Sequence, residues 1–292
     1  MRGGMRLSVP PFTRAVRNLI IANTAIVFLL LIAPLIGLGA IRTFVVNYLY
    51  LVAGDVLTGR VWQLVTYGFL HVNFTHLLFN MFALWMFGSQ FEVEWGRRKF
   101  LEFYYWCLIG AAVTTVVLAV AGALLYRATP LGLFRIMADL MVTPTAGASG
   151  GIYGLLIAFG LLYGDREIFM FPLPFTIKAR YMVAIWIAIA LVGALGDTGG
   201  VANFAHLGGA MFGWIYLRFL PSRGLGFATS EGYYGIRNRY YRWKRKQAQK
   251  KFEVYMSKHK REDYFDEYGN YKEPRRGDRD KGNGDPRGPW VN

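Results

Sequence analysis

The sequence predicts an all-α, polytopic membrane protein with six transmembrane helices, and three features carry that prediction. Of 292 residues, 54% are hydrophobic and 16% aromatic, and mean hydropathy is +0.28. Long uncharged runs recur, several near the roughly 20 apolar residues that a helix needs to cross the hydrocarbon layer. The formal charge is +15, but the basic residues flank the apolar runs and fill the tail, which is how membrane topology is written. That placement argues against a nucleic-acid surface, so no nucleic-acid partner is expected. In lipid, backbone polar groups must be satisfied within the segment, so the apolar runs are read as helices.

A basic leader, residues 1–17, holds Arg2, Arg6, Arg14 and Arg17. The first uncharged run covers residues 19–41. Gly37-Leu38-Gly39 leaves a cleaved signal peptide open, but the run exceeds the about 7–15 residues of a signal core and is expected to be a retained helix. A long connection, residues 42–68, carries Gly54, Gly59 and Gly68, with Trp62 and Tyr67 suited to an interface. The second span is expected over 73–91, with His71 and His76 at or near its start. A charged turn through Glu92, Glu94, Arg97, Arg98 and Lys99 precedes the third, 103–125. A connection with Arg127, Pro130, Arg135 and Asp139 leads to the fourth, 146–163. A polar, proline-containing turn with Asp165, Arg166, Lys178 and Arg180 precedes the fifth, 181–195, and Asp197 and two glycines precede the sixth, 201–220. The bundle domain is thus expected over 18–220 and a basic tail over 221–292. Residues 237–261 read either as a helix on an anionic membrane surface or as a solvated basic helix, and the sequence after Asp263 reads as disordered. The excess of basic residues on alternate connections places both termini in the cytoplasm. The expected location is a multi-pass one, in a bacterial inner membrane.

The single cysteine, Cys107, excludes a disulfide within the chain and a cysteine metal site, and reads as a packing residue. Three of the four histidines, His71, His76 and His206, fall in or beside spans. Ionisable side chains there face a polar cavity or one another. Gly147-Ala148-Ser149-Gly150 lies just inside the start of the fourth span. Small neighbours let a substrate backbone approach the hydroxyl, and a helix N-terminus offers amide donors to a developing oxyanion. Alone, such a string reads more readily as helix packing. On the sixth span, Gly209 and Gly213 form a small face, and His206 sits one turn above Gly209 on nearly the same side. If the fourth span packs there, Ser149 meets a general base. No acidic residue lies within the spans to orient His206, so a Ser-His-Asp triad is not expected. Tyr153, four residues after Ser149, shares its face and can stack on the imidazole or simply pack. His76 and Asn80 share a face of the second span, where they either donate to an anionic oxygen or bond a neighbouring helix.

His76-x-x-x-Asn80, Gly147-x-Ser149-Gly150 and Ala205-His206-x-x-Gly209-x-x-x-Gly213, in this order, resemble the motifs of the rhomboid family of intramembrane serine proteases, over roughly residues 18–220. The resemblance implies a rhomboid-like bundle and a catalytic dyad of Ser149 and His206. It implies an oxyanion site of His76, Asn80 and the Ser149 amide, with Tyr153 packed on the histidine, while Gly147, Gly150, Gly209 and Gly213 are expected to serve helix packing. Phe87-Gly88 to Gly96, with Glu92 between, looks like the end of the family's second span. Trp62-Gln63 departs from the Trp-Arg common in the family's first outer loop. The implied reaction is hydrolysis of a peptide bond in or near the outer half of the bilayer, on single-span membrane-protein substrates, with no metal or cofactor. The rival readings are a non-catalytic binder of transmembrane helices on the same fold, and a transporter.

Overall fold

The computed structural model describes residues 10–169, 176–195 and 200–219, and in the C-terminal segment residues 240, 242–247, 249–250 and 267–268. The chain divides into two compact units, Met1–Leu225 and Gly226–Asn292. In the second, Tyr240, 242–247 and 249–250 are helical. Most of the basic stretch at 237–261 and the stretch after Asp263 lie outside the described residues.

In the first unit, α1 (Arg14–Ile32) begins earlier than expected. Thr13 makes no side-chain cap on this helix. The buried Glu92 carboxylate does the work from another helix. It accepts from Ala15 N–H at 2.8 Å, Val16 N–H at 3.0 Å and the Thr13 hydroxyl at 2.5 Å. A carboxylate is favoured there because the first amides of a helix lack partners and carry the positive end of its dipole. The expected run over 19–41 is broken. A 3-10 turn at Ala33–Ile36, with Pro34 in its first turn, ends at Gly37, whose φ of 80° is left-handed. A new helix, α2 (Gly39–Leu49), follows.

The first connection also holds α3 (Ala53–Leu57) and α4 (Gln63–Thr66). Gln63 is fully buried and bonded at both ends of its amide. Its Oε1 accepts from Val52 N–H at 3.0 Å, and its Nε2 donates to Asp55 Oδ2 at 3.3 Å. Arg60 pairs with the same Asp55 at 2.6 Å and donates to the Asn47 carbonyl at 3.0 Å. The departure from Trp-Arg thus leaves a closed polar network, with the guanidinium supplied three residues earlier. The network steadies Val52, and the adjacent Leu51 pairs both backbone groups with Thr145, at 3.0 and 2.8 Å.

The second apolar run forms α5 (Phe74–Ala83), a π-helical stretch at Leu84–Gly88, and α6 (Ser89–Trp95). Then come the 32-residue α7 (Arg97–Ala128) and the short α8 (Gly132–Asp139). Next is α9 (Ser149–Leu162). The expected turn after it contains a short antiparallel hairpin, β1 (Glu167–Phe169) with β2 (Thr176–Lys178). The last helices are α10 (Ala179–Leu195) and α11 (Gly200–Phe219). Two stretches among the described residues are long and apolar enough by themselves to cross a membrane, Arg14–Ile36 and Arg97–Ala128, and α9 and α10 are shorter apolar helices.

α7, α9 and α11 pack on one another at the centre. A Cβ on Gly151 of α9 would strike the Tyr104 ring of α7 at 2.6 Å, and one on Gly110 of α7 would strike Phe212 of α11 at 2.1 Å. Phe100, Phe103, Tyr104, Cys107, Leu108 and Leu155 fill the space between, fully buried.

Candidate active site

The site begins where α9 begins. Ser149 is the first residue of that helix rather than one already inside it, and no side chain among the described residues caps the N-terminus. The amides of the first turn are therefore open to an anion. The backbone leading in is held from two sides. Thr145 pairs with Leu51, and Gly147 N–H donates to the Tyr67 carbonyl at 3.0 Å. The Tyr67 hydroxyl donates to the Leu108 carbonyl of α7 at 2.7 Å, so this strip is tied to the central helix. Gly147 has φ of 131°, a conformation that a side chain resists. It precedes α9, so its close contact is made from a loop and not from a helix face.

α11 meets α9 at backbone distance. A Cβ on Gly209 would lie 1.9 Å from the Gly150 carbonyl oxygen, and one on Gly213 would lie 2.9 Å from Gly154 Cα. With the helices this close, His206, one turn before Gly209, reaches across. Its Nε2 is 2.8 Å from Ser149 Oγ. The Tyr153 ring stacks on the imidazole at 4.3 Å between centroids and 5° between planes. His206 Nδ1 is buried and has no hydrogen-bond partner among the described residues. If Nε2 accepts the serine proton, the ring's own proton sits on Nδ1. Its orientation then comes from the stacked tyrosine and the helix contact, with no carboxylate bonded to it among the described residues.

From the other side, α5 brings His76 and Asn80. A Cβ on Gly147 would lie 2.9 Å from His76 Nε2 and 3.5 Å from Asn80 Nδ2. Both side chains therefore crowd the backbone two residues before Ser149. Asn80 is buried, and its Nδ2 donor has no partner among the described residues. The Asn73 side chain caps α5 by accepting from His76 N–H at 2.8 Å, which fixes the helix start beneath the imidazole. The structure thus brings Ser149, His206, Tyr153, His76, Asn80, Gly147, Gly150 and Gly209 into one neighbourhood, with Gly213 one turn further along the seam.

One residue of this neighbourhood had no assigned part. His71, in the loop before α5, is buried with its ring edge-on to His76, the centroids 5.1 Å apart. Its spacing of five from His76 is neither i+3 nor i+4, so no helical pattern links the two.

Comparison with known proteins agrees with this architecture. The family described as "Rhomboid domain" matches residues 58–223. The chain belongs to the rhomboid family, a family of membrane proteins whose fold is a helical membrane bundle. It is 32% identical to Rhomboid protease AarA of Providencia stuartii over 163 residues, 54% of this chain and 55% of that one. To Rhomboid protein 1, mitochondrial, of Saccharomyces cerevisiae it is 30% identical over 165 residues, 56% of this chain and 42% of the other. To RHOMBOID-like protein 12, mitochondrial, of Arabidopsis thaliana it is 28% identical over 177 residues, covering 58% and 49%. The chain spans about half the length of these relatives. Two of the three are named mitochondrial, so the expected bacterial inner membrane gains no support, and the family establishes a membrane without choosing which.

Proposed function

We propose that the chain is an intramembrane serine endopeptidase that cleaves transmembrane segments of membrane-protein substrates with a Ser149–His206 dyad. The observation that carries the reading is the 2.8 Å contact between Ser149 Oγ and His206 Nε2 at an uncapped helix N-terminus. The name of the Providencia relative, a rhomboid protease, supports the same reaction.

The chemistry follows from the positions. Ser149 Oγ attacks the scissile carbonyl carbon while its proton passes to His206 Nε2. The carbonyl oxygen takes up the negative charge and is met by the Ser149 N–H, Asn80 Nδ2–H and a ring N–H of His76. As the carbon–nitrogen bond breaks, His206 returns the proton to the leaving amine and an acyl-Ser149 ester remains. Water, deprotonated by His206, attacks the ester, and Ser149 regains its proton as the new carboxyl leaves. Tyr153 holds the imidazole plane throughout.

Helix length supports a site below the membrane surface. The 14 residues of α9 rise about 21 Å, at about 1.5 Å each. That is shorter than the roughly 30 Å hydrocarbon core. With Asp165 and Arg166, just past its C-terminal end, at one surface, Ser149 sits beneath the other. The proposed bundle has six spans over 18–220, with the π-interrupted α5–α6 unit as the second. Leader and tail are cytoplasmic, and the basic tail is an accessory that meets anionic lipid.

The test uses purified full-length protein in detergent and a model single-span substrate. Wild type should cleave it, while Ser149→Ala and His206→Ala should each reduce cleavage to background with folding intact, because nucleophile and base act as one unit. Substantial cleavage by either variant would remove the dyad. A wild type that binds substrate helices without cutting them would favour a non-catalytic binder.

A further inference from the structure

We propose that His71 is a positioning residue for His76, setting the ring that lies against Gly147. The proposal deepens the reading above and rests on it. His71 is only 6% exposed, and neither ring nitrogen has a hydrogen-bond partner among the described residues. A buried imidazole with nothing to bond is a poor filler, since leucine or phenylalanine would occupy the space with no polar atoms to desolvate. What the ring does meet is His76, with 65° between the planes, the edge-to-face arrangement that aromatic pairs favour.

His76 needs such support because of the helix that bears it. On α5 only Leu77, Asn80 and Met81 are buried, whereas Phe74, Leu78, Phe79 and Phe82 are exposed. Few contacts therefore fix the rotation of that helix against the serine. The backbone adds a second tie. The Tyr67 carbonyl accepts from Gly147 N–H at 3.0 Å and from Leu70 N–H, next to His71, at 3.2 Å. One carbonyl thus ties the loop carrying His71 to the strip that His76 rests against. The two surfaces that touch the His76 ring share one anchor, so the ring is held relative to Ser149 and not merely relative to α5. Burial, with His76 alongside, pushes the His71 pKa down to about 3, so His71 is uncharged at neutral pH.

The test compares His71→Leu, which fills the space without a ring, with His71→Phe, which keeps the edge-to-face contact. In full-length protein, His71→Leu should lower kcat about tenfold with KM little changed, since a small displacement of an oxyanion donor acts on the transition state. His71→Phe should restore most of that loss, and His71→Leu added to His76→Ala should cost nothing further. A role in folding alone would instead lower kcat equally in both backgrounds. A second readout does not depend on cleavage. With four histidines in the chain, ring-labelled NMR can follow His76, whose signals should shift or broaden in His71→Leu and return toward wild type in His71→Phe. Unmoved His76 signals in His71→Leu would overturn the proposal, as would a kcat unchanged by that substitution or a His71→Phe variant as poor as His71→Leu. A wild type that cleaves nothing would defeat the protease reading, and the His76 signals would still decide the part played by His71.

Discussion

The two sides of the site are built by opposite means. Along the α9–α11 seam, Ser149 and His206 are set by backbone against backbone, with Gly209 packed on the Gly150 carbonyl and Gly213 on Gly154 Cα. On the α5 side, His76 and Asn80 project from a helix with an exposed apolar flank, located by an asparagine cap, a loop and the bare Cα of Gly147. The seam has no freedom to yield, because its limiting contacts are main chain. The α5 side is held by side chains and loop hydrogen bonds, which can adjust. Errors in the seam should therefore be all-or-none, and errors on the α5 side graded.

The largest effect is expected from Gly209→Ala. Its methyl group has only main chain to displace, so the helices must separate, at about 1–3 kcal/mol for overpacking. The Ser149–His206 contact should be lost with them. Cleavage should fall to background and the melting temperature should drop, whereas Gly132→Ala, with open space around it, should alter neither. A Gly209→Ala protein with normal turnover would break the contrast.

Asn80→Ala tests the other side. In the proposed mechanism Asn80 is one oxyanion donor of several, so its removal should lower kcat by about 10²–10³ at most, with KM nearly unchanged. A raised KM at constant kcat would assign Asn80 to substrate binding. A smaller loss, about tenfold, is expected for Tyr153→Ala, because a stacked ring contributes about 0.5–1.5 kcal/mol to holding its partner. Tyr153→Phe should be close to wild type, and a Phe variant as impaired as the Ala variant would point to the hydroxyl instead.

Glu92→Gln lies far from either side and should act on stability alone. The amide keeps an acceptor for the start of α1 but loses the charge and one acceptor, so a loss of about 1–2 kcal/mol is expected, read as a lower melting temperature at unchanged kcat. Smallest of all is truncation after Gly224, beyond the end of the family match at residue 223. Cleavage in detergent should persist, and a folded but inactive truncation would give the tail a catalytic part.

How much of this was legible in the sequence follows the same division. The seam could be read, because apolar length, a glycine pair four apart and a histidine one turn away are local helical patterns. The breaks were harder. Pro34 and Gly37 end the first run early although no charge interrupts it, and the hairpin of β1 and β2 has strands of three residues, too short for alternation to register. Contacts between distant parts left no trace. The Glu92 carboxylate caps a helix 77 residues away in sequence, and the network that closes around Gln63 depends on Asp55 being folded against it. His71 fell in the same gap, since its partner is set by a loop and not by a periodicity.

If the seam makes Ser149 a nucleophile, a serine-directed fluorophosphonate in detergent should modify it, with the site mapped by mass spectrometry. A single adduct is expected on Ser149, lost in Ser149→Ala and nearly lost in His206→Ala, while Asn80→Ala still reacts, more slowly. Equal labelling of wild type and Ser149→Ala, or none in a folded wild type that also fails to cleave, would contradict it.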